Sequence, residues 1–117
     1  MAFCLADGLS VLGDASHHIQ QCSLTGGGAR STLWAQLIAD VLQLPIVTHP
    51  ASASGALGAA RLAWLADGGL EHEVCLKPAV QARYQPDETR GAVLQKRLCL
   101  FWELYVQQQQ VRSLLPA

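Results

Sequence analysis

Three consecutive glycines, Gly26-Gly27-Gly28, followed by Ala29, Arg30 and Ser31, are the residues best suited to hold an anion. Without Cβ atoms the backbone can turn sharply and a ligand can approach it closely. Leu33, Trp34, Leu37, Ile38, Val41 and Leu42 recur at helical spacing just downstream, and Ser31 is placed to cap that helix. A helix start presents unpaired N–H groups and the positive end of its dipole, which together favour phosphate. The chemistry implied is phosphate or nucleotide binding.

Two familiar phosphate motifs do not fit these residues. Gly26-x-Gly28-x-x-Ser31 is one glycine short of a dinucleotide fingerprint, and no acid closes the second strand candidate at Val47-Thr48-His49-Pro50. No Gly-Lys-Ser/Thr follows the glycines, as a P-loop requires.

Other reactive side chains carry weaker patterns. His17-His18 has no carboxylate or cysteine at ligand spacing and reads as an exposed loop pair. His49 and His72 read as structural or solvated loop histidines. Arg30 reads as a partner for a surface acid, with phosphate contact as the alternative. Trp34 and Trp64 are assigned to the core. Asp40 falls on the polar side of its helix and is assigned to solvation or surface pairing. Cys4, Cys22, Cys75 and Cys99 match no metal or CxxC spacing, which suggests reduced, mostly buried thiols and a cytoplasmic protein.

The elements that must position the glycine run follow from periodicity and breakers. A helix is expected over Phe3–Leu12 and a strand over Gln20–Thr25. A second helix spans Ser31–Leu44, ending before Pro45, and a second strand Ile46–His49. A small-residue helix, Ser54–Ala66, stops at Gly68-Gly69. Its Gly55, Gly58, Ala59, Ala60 and Ala63 leave nearly bare backbone. Close packing of that helix on a sheet is favoured over a border with a ligand. Val74–Gln85, with Pro78, reads as irregular. Asp87 caps a long last helix reaching about Arg112. Its stripe of Leu98, Phe101, Trp102 and Tyr105 is assigned to internal packing, with docking on another domain or a second subunit as the alternative, so a homodimer stays open. Two strands make no independent sheet, so the βαβ pair is expected to belong to a wider parallel sheet.

Composition fits an α/β unit with a useful core: 117 residues, 50% hydrophobic. A formal net charge of -1 with no basic run gives no footprint for nucleic acid. No apolar stretch approaches membrane-span length, so no membrane association is expected. The N-terminus has no basic region preceding an apolar one, so a signal peptide is not expected.

Leu24 to Trp34, then Leu37-Ile38-Ala39-Asp40-Val41-Leu42, then Ala56-Leu57-Gly58-Ala59-Ala60 together resemble the C-terminal region of FGGY-family carbohydrate kinases. The Gly-Gly-Gly-Ala-Arg-Ser wording is most similar to the xylulose kinases of that family, and Phe3 to Leu9 resembles the helix before their glycine turn. The similarity is close from Phe3 to about Leu65 and looser beyond. The resemblance implies an actin-like, ribonuclease-H-like ATPase domain, with residues 1–117 as the C-terminal portion of the kinase's C-terminal domain. It implies ATP with Mg, and transfer of the γ-phosphate to a sugar hydroxyl, D-xylulose being the expected substrate. By position it places the nucleotide against Gly26, Gly27, Gly28 and Ala29, with Ser31 near the adenosine. The family's catalytic aspartate and sugar site lie in preceding sequence, so no aspartate here inherits the general-base role. Many relatives carry an acid shortly before Ala-Leu-Gly-Ala-Ala, where this chain has Ala51-Ser52-Ala53-Ser54. The alternative is a truncated, non-catalytic nucleotide-binding or interaction module.

Overall fold

The structure, a computed structural model, describes residues 1–50 and 55–114. In chain order it holds α1 (Ala2–Ser10), β1 (Cys22–Leu24), α2 (Thr32–Leu42), β2 (Ile46–Thr48), α3 (Gly55–Ala66), α4 (Glu71–Val74), β3 (Ala82–Tyr84) and α5 (Glu88–Ser113). Short 3-10 turns cover Gly13–His18 and Gly27–Arg30. Ser54, expected to open α3, lies outside the described residues, as does the rest of the Ala51–Ser54 segment.

The strands order β1-β2-β3, with β1 and β2 parallel and β2 and β3 antiparallel. The parallel pair and its crossover helix are as the sequence suggests. The third strand corrects the expectation that 74–85 is irregular and that β2 continues into parallel sheet. Three residues between Pro78 and Pro86, with Arg83 in the middle, are too short to show alternation.

Cross-strand rows are Cys22, Ile46 and Tyr84; Ser23, Val47 and Arg83; and Leu24, Thr48 and Ala82. Alternation puts the first and third rows on one face and the middle row on the other. The first face meets α2, where Ile38, Ala39 and Ile46 form the core with Cys22, Leu24, Trp34, Leu42 and Tyr84 around them. α2 begins at Ser31, whose Oγ accepts the Trp34 N–H at 3.2 Å. It ends in the left-handed Gln43 (φ 52°), whose side-chain amide donates to the Asp40 carbonyl.

Asp40 is a correction. It is 2% exposed, not solvated. Its Oδ1 accepts from the Asp87 N–H at 2.9 Å and the Gln36 amide at 2.8 Å, and its Oδ2 lies 3.3 Å from Arg90 Nε. One buried carboxylate therefore fastens the start of α5 to α2. A buried charge persists only where it is paired and hydrogen-bonded, and this one is.

The last helix packs on α1 through Phe3 and Phe101, with ring centroids 5.7 Å apart, and through the Trp102 indole N–H, which donates to Asp7 Oδ1 at 3.0 Å. Leu98 is buried, while Tyr105 lies exposed beyond the contact. Trp64 is exposed too, contrary to its core assignment, and sits over the Gly68-Gly69 cap of α3. α3 buries no residue, and Gly55 and Gly58 face open space, so the expected close packing on the sheet is not found. Cys4, Cys75 and Cys99 are exposed and Cys22 is half-buried, so the thiols are not mostly buried as expected. No helix among the described residues is long and apolar enough to cross a membrane.

Candidate functional site

A cleft of about 620 Å³ opens at the C-terminal ends of the parallel strands. Open α/β sheets place their ligands at this end. Thr25, Gly26, Gly27, Ala29 and Arg30 form one wall, Thr48 and His49 the floor, and Gln81, Ala82 and Tyr84 the opposite wall.

Each glycine of the turn has a separate reason. Gly26 adopts φ 83°, ψ −167°, a conformation essentially confined to glycine. It redirects the chain from β1 into the 3-10 turn, which closes with the Ala29 N–H donating to the Gly26 carbonyl at 3.1 Å. A Cβ on Gly27 would meet no protein atom within 4 Å, so this bare backbone faces the cleft. A Cβ on Gly28 would come to 3.1 Å from Trp34 Cδ1, so there the missing side chain lets the turn rest on the indole. Of the five residues assigned to nucleotide contact, Gly26, Gly27 and Ala29 line the cleft, whereas Gly28 faces Trp34 and Ser31 caps α2.

The cleft's electrostatics favour an anion. Arg30 is exposed at its rim and has no carboxylate within ion-pair distance among the described residues. That overturns its assignment to a surface acid. No aspartate or glutamate is among the described lining residues. Thr25, Thr32, Thr48, Tyr84 and Gln81 add neutral polar groups. Four of these were missed in the sequence: Thr48 ends β2 and Thr32 opens α2 without a motif, and Gln81 and Tyr84 lie just before and on a strand that was not recognised; Thr25 was seen only as the residue leading into the turn. His49 is half-buried and hydrogen-bonded through both ring nitrogens, a structural histidine as read. His17 and His18 are exposed in their 3-10 turn, and among the described residues no three His, Cys, Asp or Glu side chains gather as a metal site.

A three-stranded α/β sheet thus carries a glycine turn at the C-terminal end of its parallel pair, facing a cleft with no acid among its described lining residues. Residues 1–66 match the FGGY family of carbohydrate kinases, C-terminal domain, and the chain belongs to that family. It is 36% identical over 110 residues to the xylulose kinase of Escherichia coli (strain K12), covering 92% of this chain and 23% of that protein. It is 37% identical over 89 residues to the glycerol kinase of Dechloromonas aromatica (strain RCB), covering 74% of this chain and 18% of that one. Among solved structures, a xyloylose kinase from Brucella ovis superposes with a TM-score of 0.79 at 28% identity, over 94% of this chain and 23% of its own. The fold is thus the actin-like, ribonuclease-H-like one of these sugar kinases. The chain spans about a quarter or less of the length of these relatives.

Proposed function

We propose that residues 1–117 act as the C-terminal, nucleotide-holding portion of a carbohydrate kinase that moves the γ-phosphate of ATP to a sugar hydroxyl. The observation that carries this is the cleft with Gly26, Gly27, Ala29 and Arg30 as one wall and no acid among its described lining residues. Backbone at Gly26, Gly27 and Ala29 would lie against ATP or ADP, and Arg30 would face its phosphates. Phosphoryl transfer depends mainly on positioning and charge stabilisation, and those are the tasks this wall can perform. Mg would accompany ATP and, on this reading, take its carboxylate ligands from outside the cleft, since none is among the described lining residues. The sugar hydroxyl needs a base, and on this reading that base comes from sequence outside this cleft. The sugar is read as D-xylulose, giving D-xylulose 5-phosphate, on the Gly-Gly-Gly-Ala-Arg-Ser wording and the 36% identity to a xylulose kinase. The similarity to a glycerol kinase makes glycerol the substrate to compare.

The test is ATP-dependent phosphorylation by the complete polypeptide that carries these residues. D-xylulose is expected to give a kcat/KM at least about tenfold above glycerol, because a site built around several hydroxyls discriminates strongly against a ligand lacking them. The reverse order would reassign the substrate. Nucleotide binding without turnover on any sugar would favour the non-catalytic binding module.

A further inference from the structure

The two walls of the cleft leave the sheet from different strands. The glycine turn continues β1 through Thr25, and the opposite wall begins β3 at Gln81 and Ala82. His49, one residue past β2, touches both origins. Its Nδ1 lies 3.0 Å from the Ala79 carbonyl oxygen and its Nε2 lies 3.1 Å from Ser23 Oγ. A carbonyl can only accept, so Nδ1 carries a proton; Nε2 of the neutral ring is then free to accept the Ser23 hydroxyl.

We propose that His49 is a positioning residue for the nucleotide: a strap across the end of β2 that sets the spacing between the glycine turn and the β3 wall. This rests on reading the cleft as a nucleotide site. Ser23 is two residues before Thr25, and Ala79 is two before Gln81, so each bond holds a wall close to its root. The Gln81 N–H donates to the Thr48 carbonyl at 2.8 Å, which keeps the β3 wall on the sheet without His49. Losing the imidazole therefore shifts a wall and does not unfold it.

A second strap at the other end of the sheet supplies the control. Arg83 Nη1 donates to Gln21 Oε1 at 2.8 Å, joining β3 to the residue before β1. Arg83 shares a cross-strand row with Ser23 and Val47, so both straps lie on the face away from α2. Neither Arg83 nor Gln21 lines the cleft.

The experiment compares variants of the complete kinase polypeptide. His49→Ala is expected to raise KM for ATP about three- to tenfold, the scale of one or two hydrogen bonds, with kcat and the sugar KM within about twofold. His49→Asn, whose amide N–H can take the place of Nδ1–H, is expected to recover most of the loss. Gln21→Ala is expected to lower the melting temperature and leave KM for ATP unchanged. An unchanged ATP constant in His49→Ala, no recovery in His49→Asn, or an equal rise in Gln21→Ala overturns the proposal. In the unliganded protein, ¹⁵N shifts of His49 are expected to show the Nδ1–H tautomer. Finding Nε2–H while ATP still binds overturns the strap alone. A parent protein that binds no ATP, with Nδ1–H present, overturns the nucleotide reading and with it the strap's purpose.

Discussion

At the scale of single residues, neighbouring glycines answer to different forces. Gly26 is needed for its backbone conformation, Gly27 for open space toward the cleft, and Gly28 for contact with Trp34. The last two separate experimentally. Gly27→Val in the complete kinase is expected to raise KM for ATP by about tenfold or more, because the added carbons enter the space a ligand would use and touch no protein atom. Its melting temperature should hardly move. Gly28→Ala is expected to do the opposite. The new Cβ, 3.1 Å from Trp34 Cδ1, makes the indole give by a few tenths of an ångström, so a modestly lower melting temperature is expected with ATP affinity little changed in the folded protein. If Gly27→Val left the ATP constant unchanged in a well-folded enzyme, the turn would be structural only.

At the scale of elements, what could be read from the sequence was what repeats or punctuates. α2 shows its periodicity, Ser31 and Asp87 are capping types in capping positions, and the glycine run cannot be helix interior. β3 could not be read, because Ala82-Arg83-Tyr84 lacks the β-branched run that marks β2 and its pairing with β2 is made 34 or more residues away in sequence. Asp40 misled for a related reason. Helical spacing gave it a polar direction, but that direction faces the start of α5, a contact 47 residues distant. The cleft was half legible: the glycine wall carries a motif, the β3 wall does not.

The α5 cap has its own pH signature. Asp87 Oδ1 accepts the Arg90 N–H at 2.9 Å, and this bond, with the Arg90 charge beside it, holds the carboxyl below its ordinary value. A carboxyl whose folded pKa is depressed adds stability above its unfolded pKa, about 3.9, and loses it as pH falls through the lowered folded value. Asp87→Asn keeps a good cap but does not titrate. Its unfolding midpoint is expected to fall less steeply than the parent's below about pH 4, measured by circular dichroism. Parallel acid slopes for the two proteins would show that the cap contributes nothing to acid lability.

At the scale of the whole molecule, shape and surface disagree with an independent domain. The radius of gyration is 18.6 Å with extents of 57 × 43 × 28 Å. A compact body of this length has about 13 Å. Leu33, Leu62, Trp64, Leu100, Leu104 and Val111 are all more than half exposed, and α3 buries nothing. Exposed apolar side chains in this number fit the proposed reading, in which the remainder of a longer kinase or another chain covers them. On the proposed reading the base for an attacking hydroxyl also lies elsewhere, since no carboxylate is among the described lining residues of the cleft. The 117-residue chain alone is therefore expected to bind a hydrophobic dye, to unfold with weak cooperativity, and to phosphorylate no D-xylulose from ATP. The complete polypeptide is expected to lose the dye signal, gain a single sharp transition and turn over, because closure around both substrates supplies alignment and excludes water. ATP-dependent turnover by the isolated chain above a no-enzyme blank would mean that its own residues provide the base, and the assignment of proton removal to sequence beyond this cleft would be wrong.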